Sequence, residues 1–145
     1  MLQLPILPPV SAMLLTVVAS MVSPAAARTC EPPQLVKVAT TGEIRAFVRS
    51  KDMKVLTFVG YSGAGYQNSS AMLESVRRTL SRHDPARTIV NVGATSQGIG
   101  AAYQLAKDKG FATMGIVSVL ARDEKVPLSP CVDFVFYVQD RSGAG

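Results

Sequence analysis

The sequence predicts an α/β domain, and three observations carry that prediction. Short, nearly unbroken apolar runs at residues 55–59 (VLTFV), 88–92 (TIVNV), 113–117 (TMGIV) and 132–138 (VDFVFYV) have the length of strands covered on both faces. The first two are each followed at once by a glycine-rich stretch, and the stretches lead into amphipathic segments of helical period. Strand, helix, strand, helix, strand is an order that requires crossover connections and hence a parallel sheet.

Each element has a local cause. Thr40 or Thr41 caps a short helix in which Ile44, Phe47 and Val48 share a face, and Lys51-Asp52 ends it. The run at 55–59 stops at Gly60, and Tyr61-Ser62-Gly63-Ala64-Gly65 follows. Asn68, Ser69 or Ser70 then caps a second helix, with Met72, Leu73, Val76 and Leu80 on one side and Arg77, Arg78 and Arg82 on the other; Asp84-Pro85 closes it. After the run at 88–92 comes Gly93-Ala94-Thr95-Ser96-Gln97-Gly98-Ile99-Gly100, then a helix reaching Lys109 with Gly110 as its C′ residue. Residues 119–131, with Pro127 and Pro130, read as a polar connection to the last run. Together these elements describe a Rossmann-like three-layer α/β/α domain with a mainly parallel sheet of about four strands. It spans 41–140, behind a linker at 28–40 and ahead of a short tail at 141–145.

Composition narrows the class. The chain has 145 residues, 48% apolar and 17% charged, which fits one compact domain and excludes a disordered tail, a collagen-like repeat and a disulfide-dense mini-protein. Residues 1–27 hold 18 apolar residues and no Asp, Glu, Lys, Arg or His. Within them, residues 13–22 (MLLTVVASMV) have the length of a signal-peptide apolar region, and Ala25-Ala26-Ala27 supplies the small residues of a cleavage site. The stretch before it has no Lys or Arg and contains Pro5, Pro8 and Pro9, which argues the other way. The segment is therefore either a signal peptide of a periplasmic or secreted protein or a dispensable leader on a cytoplasmic one. It is short for a bilayer span, and no span is expected in the mature domain. The net charge of +5 suits an anionic ligand. Cys30 and Cys131 are the only cysteines, which excludes a four-ligand zinc site within one chain. They read as two unrelated free thiols, or as a disulfide if the protein is exported.

The glycine loops concentrate the chemistry. In a parallel sheet all strand-to-helix loops leave at the carboxyl edge, where open α/β folds bind ligands. Glycine permits positive φ and close approach, and the N–H groups opening the next helix favour phosphate. Residues 93–100 add two hydroxyls and contain no carboxylate. The expected ligand-binding residues are Ser62, Gly63 and Gly65 from the first loop and Gly93, Thr95, Ser96, Gly98 and Gly100 from the second. The expected partner is a phosphate-bearing small molecule, with a nucleotide as the candidate cofactor. The alternative is that these glycines only make tight turns and let helix pack against strand. Tyr61 or Tyr66 either stacks on a base or covers the strand ends.

Residues 93–109, GATSQGIGAAYQLAKDK, resemble the cofactor loop of short-chain dehydrogenases, whose pattern is TGxxxGxG. Four residues separate Gly93 from Gly98 where that pattern has three, and Val92 replaces its Thr. Tyr103 and Lys107 form a YxxxK directly behind the loop, whereas that family's catalytic pair comes far downstream; here they read as a surface pair one helical turn apart. More broadly, residues 35–140, through KVLTFVGYSGAG, IVNVGATSQGIGAAYQLAKDKGF and SPCVDFVFYV, are similar to an uncharacterised Rossmann-like group related to the lysine-decarboxylase-like, or LOG-type, nucleotide-binding superfamily. That resemblance implies a nucleotide or nucleotide-sugar phosphate held over the carboxyl edge, and homodimers. The PGGxGTxxE signature of LOG-type phosphoribohydrolases does not follow residue 140, as in a C-terminally shortened member, so no catalytic Glu is carried over.

Other candidates read as structure. His83, between Arg82 and Asp84, reads as a solvated side chain, and Glu74 as a helix-surface charge facing Arg77 or Arg78. Arg77, Arg78, Arg82 and Arg87 cluster near a helix C-terminus without interleaved aromatics, which is a solvated face rather than a nucleic-acid surface. Asp133 interrupts its run and belongs either to a site or to an exposed edge. No Gly-x-Ser-x-Gly elbow, Walker loop, His-Glu-x-x-His or EF-hand is present. The expected function is binding of a phosphate-bearing ligand without an identifiable catalytic set. The alternatives are a nucleotide hydrolase or NAD(P)-dependent oxidoreductase remnant, and an exported non-catalytic interaction domain.

Overall fold

The structure is a computed structural model that describes residues 30–61 and 65–139. The expected leader at 1–27, the tail at 141–145, and Ser62 and Gly63 of the first glycine loop lie outside the described residues. Five strands, β1 (Leu35–Val38), β2 (Lys54–Thr57), β3 (Thr88–Val92), β4 (Ala112–Ser118) and β5 (Phe134–Val138), form one parallel sheet in the order β1-β5-β4-β3-β2. Four helices, α1 (Thr41–Ser50), α2 (Ser69–Leu80), α3 (Ala102–Asp108) and α4 (Val119–Asp123), complete a Rossmann-like α/β fold.

The strand count corrects the expectation of four. The added strand, β1, occupies part of the stretch expected to be a linker, because LVKV is too short and too mixed to announce itself. Pairing makes it a strand: Leu35 to Val38 lie in register with Phe134 to Tyr137, and the Gln34 and Leu35 amides donate to the Asp133 carbonyl at 2.8 and 3.2 Å. The connection at 119–131 likewise contains α4, whose first turn is capped by the Ser118 side chain accepting from the Leu120 amide.

Chain direction decides which face each helix covers. From β2 to β5 the chain steps across the sheet one neighbour at a time, whereas β1 to β2 returns from one edge to the other. Crossovers of one hand that run in opposite directions must place their helices on opposite faces. Accordingly α2 and α3 pack through Val76, Leu80, Tyr103 and Ala106 onto Val90, Val92 and Val135, while α1 packs through Ile44 onto Ile89, Met114 and Phe136 on the other side. The Phe47 ring meets those of Phe134 and Phe136 at 4.9 and 5.0 Å, an edge-to-face cluster that anchors α1 over β5.

Local signals explain the helix ends. Thr40 and Glu43 form a reciprocal capping box at α1, and Asn68 caps α2 by accepting from the Ala71 amide at 2.9 Å. Gly110 follows α3 at φ +84°, the C′ conformation that glycine adopts without a steric cost. The run at 55–59 behaves differently from its pattern. It forms the outer strand β2 with one neighbour, and Val55 and Val59 remain 43% and 90% exposed. An apolar run reports affinity for burial, but position in the sheet decides whether burial is achieved.

Candidate functional site

The two glycine loops meet at the carboxyl edge. The Ile99 amide donates to the Tyr61 carbonyl at 2.9 Å, and the Tyr66 hydroxyl accepts from the Tyr61 amide at 3.2 Å. Tyr66 therefore covers the strand end, while Tyr61 is 76% exposed beside the second loop. Gly65 is exposed and has open space around its Cα.

In the second loop the glycines divide by role. Gly98 has φ +57°, a conformation that L side chains rarely adopt, and it opens the 3-10 turn Gly98–Ala101 that leads into α3. A Cβ on Gly100 would lie 2.0 Å from the Thr95 carbonyl oxygen, so this glycine is required by close packing of the turn against the loop. Gly93 is exposed with open space around it. Thr95 bridges to Leu128, and its amide donates to the Gly93 carbonyl at 2.8 Å. Ser96 and Gln97 are exposed, no side chain caps the turn at Gln97, and among the described residues the amides of Ser96, Gln97 and Gly98 find no acceptor. Among the described residues the loop thus leaves three consecutive amides without a protein acceptor, at and beside the exposed Ser96.

Tyr103 corrects the surface pair expected of the YxxxK. Its side chain is fully buried, and its hydroxyl donates to the Met114 carbonyl at 2.8 Å while accepting from the Val92 and Ala94 amides at 3.2 and 3.1 Å. Burial pushes the phenol up to about 12, although the two amide donors pull in the opposite direction. One hydroxyl therefore joins the end of β3, the start of the loop and β4. It also accounts for Ala94, a non-glycine at φ +61° that is held there by the Tyr103 hydroxyl on its amide and by the Ser129 amide donating to its carbonyl at 2.8 Å.

Lys107 lies at the other end of the sheet. Its ammonium pairs with Asp133 at 2.7 Å, both side chains being more than four-fifths buried, and the second Asp133 oxygen accepts from the Thr113 amide at 2.9 Å. Asp133 thus belongs to neither a ligand site nor an open edge: it is a buried bracket joining α3, β4 and the entry to β5. Cys30 and Cys131 lie beside it as a disulfide, with the Gln104 side-chain oxygen 3.3 and 3.2 Å from the two sulfurs. The reading of two unrelated free thiols is corrected: pairing of β1 with β5 brings the residues that precede these strands together, which no local pattern announces.

A further crevice of about 440 Å³ opens at the carboxyl ends of β1 and β5, bordered by Thr40, Thr41, Glu43 and Gln139. The Thr40 amide, the Lys37 ammonium and the Thr40 hydroxyl hold the Glu43 carboxyl down to about 2. The Glu43 carboxylate bordering this crevice is therefore ionised, with its charge matched by Lys37 at 3.2 Å.

The remaining candidates fall on the surface. His83 is exposed, Glu74 pairs with Arg77, and Arg77, Arg78, Arg82 and Arg87 are all exposed. Among the described residues no group of three or more His, Cys, Asp or Glu is placed to hold a metal, and no helix is long and apolar enough to cross a membrane. Sequence reasoning missed Tyr103 and Asp133 as organisers of the edges. The available signal was a tyrosine on the apolar side of a short helix otherwise rich in alanine. Comparison with protein-family models, curated proteins and solved structures finds no match to this chain.

Proposed function

We propose that the protein binds a phosphate-bearing small molecule, of which a nucleotide is the leading class, at the carboxyl edge where the loops after β2 and β3 meet. The observation that supports this reading is the run of three amides, at Ser96, Gln97 and Gly98, that find no acceptor among the described residues, with the exposed Ser96 among them and no carboxylate in the loop. Consecutive unpaired N–H groups form an anion-binding concavity. Tyr61, exposed across the Ile99 contact, supplies a surface on which a base can stack. The resemblance to LOG-type proteins points to the same ligand class. A remnant oxidoreductase is less well supported, because the Tyr103 hydroxyl and the Lys107 ammonium are both occupied within the protein.

The test is titration of the full chain with AMP, NAD and inorganic phosphate, followed through backbone amide shifts. Shifts centred on 96–98, lost in Ser96→Glu at an unchanged melting temperature, are expected. Ser96 is exposed, so the variant adds charge without the backbone strain that Gly98→Glu would introduce. Undiminished affinity in Ser96→Glu, or no shift with any of the three ligands, would sink the reading.

The Cys30–Cys131 disulfide favours a second reading about compartment: an exported domain, since disulfides persist in oxidising surroundings. The expected result is protein from its native source with an N-terminus processed near residue 27 and no thiol labelled under native conditions.

A further inference from the structure

The α1 face of the sheet is only half covered, and the reason is dimensional. A helix with its side chains is about 10 Å across, whereas five strands set about 4.8 Å apart span roughly 19 Å. α1 is anchored over β5 by Phe47 and reaches Ile89 of β3 through Ile44, which leaves an opening between α1, β2 and the later residues of β3 and β4. There lies a groove of about 310 Å³ with Val55, Met114 and Ile116 among its apolar lining. Its volume is at the lower end of small-ligand cavities, and it combines an apolar floor with a few polar groups, as those cavities do.

Two features define the occupant. Arg45 and Arg49, one helical turn apart on α1, line the groove, and neither pairs with an acid among the described residues. The adjoining notch adds Lys54 and Arg87 against a single acid, Asp52. The groove also contains the Asn91 side-chain amide, which donates to the Thr57 hydroxyl at 3.3 Å while its buried oxygen has no partner among the described residues. Whichever way that amide is turned, one of its two polar atoms is left unsatisfied. A buried polar atom without a partner is destabilising.

We propose that this groove binds a small amphiphilic anion. The apolar body lies on Val55, Met114 and Ile116, and a carboxylate or equivalent anionic head pairs with Arg45 and Arg49. The site is separate from the second glycine loop, which leads to α3 on the opposite face.

The experiment titrates the full chain with decanoate, decanol and inorganic phosphate, each below its limit of aggregation, and follows backbone amides. Decanoate is expected to shift amides in 44–49 and 54–57 but not those in 96–98, and to bind at least about tenfold more tightly than decanol. In Arg45→Gln/Arg49→Gln that advantage is expected to vanish at an unchanged melting temperature, since both side chains are exposed. Equal affinity for decanoate and decanol overturns the proposal, as does decanoate binding that the double variant leaves intact or the absence of shifts with decanoate. Shifts in 54–57 that depend on protein concentration alone assign the groove to a second copy of the chain, and they overturn it as well.

Discussion

Tyr103 shows how much one buried hydroxyl can organise. It accepts from the Val92 and Ala94 amides and donates to the Met114 carbonyl, reinforcing the junction of β3, the second glycine loop and β4. Tyr103→Phe keeps the ring and removes all three bonds, so it is expected to lower unfolding free energy by about 3 kcal/mol in urea titrations. The phenol also sets a pH dependence. Its folded value, about 12, lies above the ordinary 10.0, so the stability it contributes is fully present below pH 10.0 and is lost as pH rises toward 12. The stability difference between the native protein and Tyr103→Phe is therefore expected to narrow across that window. A difference that stays constant from pH 9 to about 12 would contradict the assignment. The sequence offered YxxxK as a surface motif, and it misled because four-residue spacing states only that two side chains share a helix face, not which face is buried.

At the scale of elements, the second loop and α3 act as one packed unit. Gly100 and Gly93 look equivalent in the sequence but are not equivalent in the fold. Gly100→Ala places a Cβ 2.0 Å from the Thr95 carbonyl oxygen and is expected to cost about 2–3 kcal/mol, whereas Gly93→Ala meets open space and is expected to stay within about 0.5 kcal/mol of the native protein. Equal effects in thermal melts would show that the loop yields rather than resists. Helix ends were legible because their causes are local: the Thr40 cap, the Asn68 cap and Gly110 all act within a few residues of the signal. Strands were less so. The pattern marks β3 to the residue, marks β2 as fully covered where the fold makes it an edge, and leaves β1 unmarked, because a strand is completed by a partner that is remote in sequence.

Across the whole molecule, β1 is an edge strand tied down twice. Its register with β5 holds the backbone, and the Cys30–Cys131 disulfide, spanning 101 residues of sequence, holds the approach to it. A cross-link closing so long a loop restricts the unfolded chain, and its reduction is expected to lower stability by about 4 kcal/mol. Hydrogen exchange should then rise first in residues 35–38, while β3 and β4, with neighbours on both sides, remain protected. Uniform loss of protection would show instead that β1 is integral to the cooperative core.

The α/β class, the parallel sense of the sheet, the capped starts of α1 and α2 to within a residue or two, and the placement of two loops at the carboxyl edge are legible in the order of residues. Each of these follows from periodicity, capping chemistry or glycine placement, which act over a few residues. The fifth strand, the disulfide, the burial of Tyr103 and the ion pair of Lys107 with Asp133 emerge only in the folded arrangement. It also separates Gly100, held by packing, from the amides at 96–98, which find no acceptor among the described residues. These depend on which strand neighbours which, and strand order is set by crossover handedness and by the competition of whole faces for burial, quantities that no single segment of the chain contains.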